Sequence, residues 1–131
     1  MNGRILTVID TKSRLTEICL DTYGKEQLQA GRNREQCDIV IPDDIVSKVH
    51  GTFLIQGERT YYMDRDSSNG TFIGYAGQKR LLAARDGYVE IFDKTVLRIG
   101  NIHAPDRMVL LLFHIMPEGE VWKQKNLNED V

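Results

Sequence analysis

Residues 51–64, GTFLIQGERTYYMD, read as two short strands, Gly51 to Gln56 and Thr60 to Asp64, folded back on each other. Both runs are rich in β-branched and aromatic residues, and Gln56-Gly57-Glu58 between them carries the turn chemistry of a hairpin. Outward from this pair the pattern repeats. Short runs of the same kind alternate with turn clusters at spacings of about 8 to 12 residues, the pattern of a sandwich or barrel. They are Arg4 to Ile9, Leu15 to Leu20, Glu26 to Ala30, Asp38 to Ile41, Thr71 to Ile73, Lys79 to Leu82, Tyr88 to Phe92, Thr95 to Ile99 and Met108 to Ile115.

The joints fit this reading. Asp86-Gly87 is expected to close a second hairpin, Ser68-Asn69-Gly70 puts Asn and Gly where positive φ is cheap, and Pro42 ends the strand before it. Helical periodicity is weak, and no repeat at a period of about 20 to 50 residues suggests a propeller or solenoid. The expected fold is all-β, an antiparallel sandwich of about eleven strands with loops clustered at its ends. Its expected organisation is an N-terminal extra strand or extension over 1–14, the sandwich over 15–116, and a polar tail or linker over 117–131. That last stretch has Trp122 and Leu127 as its main large apolar groups.

Composition narrows the function classes. The 131 residues are 41% hydrophobic and 27% charged, values of an ordinary globular domain. A formal net charge of −2 gives no electrostatic footprint for a polyanion, so nucleic acid is not an expected partner. The longest apolar run, Met108 to Met116, is interrupted by His114 and is too short to cross a bilayer of about 30 Å as a helix. No membrane role is expected. The N-terminus, MNGRILTVIDTK, has neither a long apolar core nor a small-residue cleavage site, and the expected location is cytoplasmic. Cys19 and Cys37 lie far apart with no CxxC and no nearby histidine pair, so buried thiols rather than zinc or redox chemistry are expected. No metal and no cofactor are expected.

Three segments stand out from the strand pattern: Gly31-Arg32, VSKVHGTF from Val46 to Phe53, and DRDSSNGTF from Asp64 to Phe72. Each alone is common. In this order, with DIVIPDD between the first two and a later stretch from Asp86 to Gly100, they resemble the forkhead-associated (FHA) domain over roughly Leu15 to Ile115. The resemblance implies an FHA/SMAD-like sandwich whose loops at one end bind phosphothreonine peptides on partner proteins, without catalysis. It implies Arg32, Ser47, Lys48, Ser68 and Asn69 as the pocket, supported by Gly31, His50, Gly70 and Thr71.

The chemistry suits those residues. A phosphate at neutral pH carries about −1.5 to −2 charges and several strong acceptor oxygens. Arg32 offers a guanidinium fork, Lys48 an ammonium, and Ser47 and Ser68 hydroxyls. The Asn69 amide both donates and accepts, and so can pair with peptide backbone beside the phosphorylated residue. Two departures stand against the family pattern. It usually has arginine where this chain has Lys48, which keeps the charge and loses bidentate geometry. It also has a second Asn-Gly where this chain reads Gly74-Tyr75-Ala76-Gly77, a change at residues expected to read the ligand downstream of the phosphothreonine.

Competing readings are weaker. Ser47 and His50 lack the acid, the oxyanion hole and the GxSxG or Ser-x-x-Lys context of a hydrolase. His50 is expected instead to brace the turn that presents Ser47. Gly31 and Gly70 are expected as backbone devices. Asp64, Asp66 and Asp86 lack the spacing of a calcium loop and read as turn and strand-end residues. Arg34, Arg65, Lys79 and Arg80 are candidate rim cations for acidic ligand residues. Asp43 and Asp44 are expected to face solvent, since they would repel an anion. Thr7, Thr11, Thr16 and Thr22 read most simply as strand or turn residues. The alternative function is a phospho-independent interaction scaffold on the same fold, and further domains of a larger protein are compatible with either.

Overall fold

The computed structural model describes residues 3–75, 82–84, 87–100, 104 and 106–117. Among them are eleven strands: β1 (Gly3–Ile9), β2 (Leu15–Cys19), β3 (Gln27–Gly31), β4 (Ile39–Val40), β5 (Gly51–Gln56), β6 (Arg59–Asp64), β7 (Thr71–Gly74), β8 (Leu82–Ala83), β9 (Val89–Ile91), β10 (Thr95–Ile99) and β11 (Val109–Met116). A 3-10 turn, Leu20–Tyr23, follows β2, so the expected strand to Leu20 stops one residue early. One sheet has the order β2-β1-β11-β10-β7-β8, the other β4-β3-β5-β6-β9. No helix among the described residues is long and apolar enough to cross a membrane.

Period-two alternation builds the space between the sheets. In β10, Thr95, Leu97 and Ile99 are buried while Val96 and Arg98 are not; β11 buries Val109, Leu111 and Phe113 in the same rhythm. From the other sheet, Phe53 and Tyr62 stand opposite each other in register, their rings edge to face at 5.0 Å. Full burial of side chains this large stabilises by about 1.5 to 3 kcal/mol each. Gly51 has no side chain because the Tyr62 hydroxyl occupies the place of its Cβ. That hydroxyl lies 2.9 Å from Thr71 Oγ1, a bond from β6 of one sheet to β7 of the other. Cys19 and Cys37 are both buried and free.

The opening hairpin is as read, with Gly57 at φ 61° between β5 and β6. One expectation is corrected. The strands on either side of Asp86-Gly87, of which Asp86 lies outside the described residues, do not form a hairpin: β8 pairs with β7 in the first sheet while β9 pairs with β6 in the second, so the chain changes sheets between them. Asp-Gly chemistry suits a bend whether or not the flanking strands pair. The antiparallel sandwich is as expected, and among the described strands one pair departs from it, β3 with β4, which run parallel through Ala30–Ile39 and Gly31–Val40. Of the expected strand Lys79 to Leu82, Leu82 is in β8; Lys79, Arg80 and Leu81, like the tail with Trp122 and Leu127, lie outside the described residues.

Candidate functional site

Strand register brings three loops to one end of the sandwich. Ala30 of β3 pairs with Gly51 of β5, and Gly51 pairs with Asp64 of β6. The segments after β3, before β5 and after β6 therefore arise within one or two strand spacings of each other, each about 5 Å. These segments carry Arg32, Ser47 with Lys48, and Ser68 with Asn69.

Backbone bonds draw the first two loops together. The Arg32 N–H donates to Ser47 O at 3.0 Å, and the Asn33 N–H to Lys48 O at 3.1 Å. So close an approach excludes a side chain at residue 31, where a Cβ would run into the carbonyl groups of Ser47 and Lys48. The Cys37 thiol, beneath this contact, also donates to Lys48 O, at 3.1 Å. Burial pushes the Cys37 pKa up, against the lowering contact of the Asn33 backbone, so the sulfur keeps its proton.

His50 ties the second loop to the third. Its ring is 1% exposed; Nδ1 accepts the Ser47 N–H at 3.0 Å and Nε2 lies 3.1 Å from Gly70 O. Because the backbone amide can only donate, Nδ1 is unprotonated, and the proton on Nε2 goes to Gly70 O. The imidazole thus engages the Ser47 backbone rather than its hydroxyl, and Ser47 Oγ accepts the Ser68 N–H at 3.0 Å. This is a loop brace and not a nucleophile with its base.

Burial lowers the His50 pKa below its ordinary value of 6.5, against the raising effects of Gly70 O and the Asp64 carboxylate. The unfolded chain therefore takes up this proton at a higher pH than the folded one. In that interval the unfolded state holds more protons, so this contribution to stability is complete above pH 6.5 and lost on acidification. The unliganded protein should show a Tm that falls as the pH drops from 7.5 towards 5, and a His50→Gln variant, less stable throughout, should lack that part of the slope. Parallel Tm profiles for the two proteins would show that His50 does not titrate in this way.

The third loop is braced by Asp64. Its Oδ2 accepts the Ser67 N–H at 2.9 Å, and its Oδ1 accepts the Ser67 hydroxyl at 2.6 Å and the Thr71 hydroxyl at 2.8 Å. The Gly70 N–H donates to Ser67 Oγ at 3.0 Å, with Gly70 at φ 77°. Ser67 is not among the residues expected in the site, and Asp64 is expected there as a turn or strand-end residue. The available signal was the Asp-x-x-Ser spacing, which suits side-chain capping of a turn.

Ligand-accessible chemistry remains on top of this scaffold. Arg32 is exposed; its Nε donates to Val46 O at 3.1 Å, and among the described residues its two terminal amino groups have no partner. Lys48 is exposed and its ammonium likewise has no partner among the described residues. Since Ser47 Oγ receives a bond from Ser68, its own hydroxyl hydrogen is available to donate outward. Ser68 and Asn69 are exposed; Asn69 Nδ2 donates to Ile45 O at 2.7 Å, which leaves the amide oxygen as an acceptor. Arg34 and Arg65 are exposed in the same loops, with the Arg65 N–H on His50 O at 2.9 Å.

The expectation that Asp43 faces solvent is wrong. Asp43 is 8% exposed, and its carboxylate accepts the Thr11 N–H and hydroxyl at 2.9 and 2.6 Å and the Ile45 N–H at 3.2 Å. Those donors offset the cost of burying the charge. Asp44 is exposed.

A family model described as FHA domain matches residues 28–100. No curated protein matches the chain. Among solved structures it is similar to the FHA domain of the CT664 protein from Chlamydia trachomatis, at 22% identity and a TM-score of 0.63, over 86% of this chain and 96% of that one. Full-length yeast Pml1p gives 23% identity and a TM-score of 0.68, over 88% of this chain and 83% of that one. A chain from a structural and functional analysis of phosphothreonine-dependent FHA domain interactions gives 20% identity and a TM-score of 0.60, over 88% and 98% respectively. At these identities the likeness is one of fold.

Proposed function

The chain belongs to the FHA domain family, and from that premise we propose that it is a non-catalytic adaptor capturing phosphothreonine on a partner protein through Arg32, Ser47, Lys48, Ser68 and Asn69. FHA domains are interaction modules, and one structural neighbour comes from work on phosphothreonine-dependent FHA interactions. The observation that carries the reading to this chain is the bonding between the three loops. Arg32 N–H to Ser47 O, Ser68 N–H to Ser47 Oγ and Asn69 Nδ2 to Ile45 O hold two cations and two hydroxyls around one end of the sandwich.

In this reading the terminal amino groups of Arg32 and the Lys48 ammonium neutralise the phosphate, and the Ser47 and Ser68 hydroxyls donate to its oxygens. Asn69 pairs with the peptide backbone and sets its direction. Preference for threonine over serine requires a socket for one methyl group, worth about 1 kcal/mol by burial.

The purified protein should bind phosphothreonine members of an oriented peptide library, phosphoserine members more weakly, and unmodified threonine not detectably. Equal capture of all three would overturn the reading. It would favour a phospho-independent scaffold, for which the exposed Phe92, 5.8 Å from the Tyr75 ring, is an available apolar contact away from these loops.

A further inference from the structure

The turn between β1 and β2 is tied to the loop that carries Ser47. Asp10 closes the turn: its Oδ1 accepts the backbone N–H groups of Lys12 and Arg14, each at 2.9 Å. Thr11, at the crest, then points both of its local donors at one carboxylate, Asp43, whose buried position sequence reasoning did not foresee. A carboxylate buried near an intended anion site is unfavourable on its own, and it persists here with three donors around it.

The other side of Asp43 leads to the site. Its Oδ1 accepts the Ile45 N–H, and its main-chain oxygen accepts the Val46 N–H at 3.0 Å. The carbonyl groups of those same two residues hold Asn69 Nδ2, at 2.7 Å, and Arg32 Nε, at 3.1 Å. A continuous path of hydrogen bonds therefore runs from Thr11 through Asp43 to the residues that steady Arg32 and Asn69. The carbonyls of Ile45 and Val46 can hold those side chains only while their peptide planes keep this orientation.

We propose that Asp43 is a positioning residue for the ligand-binding loops, itself held in place by Thr11, so that the β1–β2 turn controls how Arg32 and Asn69 are presented. The role in binding rests on the phosphothreonine reading, whereas the coupling between the turn and the two side chains does not.

The test uses the full chain. Thr11→Val keeps the size and the backbone bond but removes the hydroxyl; Thr11→Ser restores a hydroxyl; Asp43→Asn keeps the shape and removes the charge. In nuclear magnetic resonance spectra of the unliganded protein, Thr11→Val and Asp43→Asn should shift the Asn69 side-chain amide and the Arg32 Nε–H signals, and Thr11→Ser should return them towards wild type. Signals around Arg4 and Thr60, at the other end of the sandwich, should stay in place as a check that the fold is intact. Phosphothreonine peptide affinity should fall by about two- to thirtyfold in Thr11→Val and Asp43→Asn, with recovery in Thr11→Ser. Folded variants whose Asn69 and Arg32 signals do not move would overturn the coupling. Shifted signals with unchanged peptide affinity would overturn the role in binding. Shifted signals in a protein that binds no phosphopeptide even as wild type would support the coupling and overturn the phosphothreonine reading instead.

Discussion

Replacing Arg32 with alanine should weaken binding of a phosphothreonine peptide by about ten- to hundredfold while leaving the Tm almost unchanged. Removing a charge-assisted hydrogen bond costs roughly 1.5 to 3 kcal/mol, and each 1.4 kcal/mol is about a factor of ten in affinity. The folded state loses little, because Arg32 is exposed and its one side-chain bond among the described residues, Nε to Val46 O at 3.1 Å, lies in a loop. Its backbone N–H bond to Ser47 O is independent of the side chain and survives the substitution. Arg32→Lys should fall between the two, since an ammonium keeps the charge but cannot match phosphate with a two-pronged contact. Isothermal calorimetry against one phosphopeptide, with thermal melts of each variant, separates the effects. A stably folded Arg32→Ala protein with wild-type affinity would remove Arg32 from the site and overturn the phosphothreonine reading.

The same comparison bears on Lys48. This chain uses lysine where the family usually has arginine, so the planar fork of Arg32 is the main bidentate donor in the proposed pocket. More of the phosphate recognition should then rest on Arg32 here than in a domain carrying two guanidinium groups. A Lys48→Arg variant that gains affinity would fit that division of labour.

What could be read from the sequence follows the range of the interactions. β5 and β10 agree with expectation to the residue, because a local turn bounds each and, in β10, apolar and partly exposed residues alternate. The three loop segments could be recognised, and so could the conformational need at Gly70, because each is a short run of unusual chemistry. The sheet change between β8 and β9 could not, since an Asp-Gly pair reads the same in sequence whichever sheet the next strand joins. Asp43 was misread for a similar reason. Nothing within a few residues of it announces burial, and two of its three donors come from Thr11, 32 positions away in the chain. The bracing by Asp64 is nearly local, and its Asp-x-x-Ser spacing was present in the sequence, overshadowed by the neighbouring Ser68-Asn69-Gly70.

Arg4 should behave in the opposite way to Arg32: Arg4→Met should lower stability by about 3 kcal/mol, and the Tm by on the order of 10 °C, without weakening phosphopeptide affinity in the folded protein. Its side chain is 4% exposed in β1, deep in a strand that reads as ordinary sheet. Nη1 pairs with Asp21 Oδ1 at 2.6 Å, Nε donates to Thr60 Oγ1 at 2.9 Å, and Nη2 donates to Gly57 O. One guanidinium thus joins β1 of the first sheet to β6 and the hairpin turn of the second, at the end away from the ligand loops. Methionine retains a stem of similar length and removes the donors, which leaves the Asp21 carboxylate without its cation and the Gly57 carbonyl without a partner. Breaking one side of a buried pair costs about 3 to 5 kcal/mol; because the Asp21 side chain is 27% exposed and can recover some water, the low end applies. The loss is a large share of the roughly 5 to 15 kcal/mol that holds a domain of this size together. A Tm within about 2 °C of wild type would mean that Asp21 and Gly57 O rehydrate freely and that Arg4 is dispensable. A loss of affinity at temperatures where the variant is fully folded would mean that the two ends of the sandwich are coupled, so that the ligand loops depend on more than the local bonds around His50, Asp43 and Asp64.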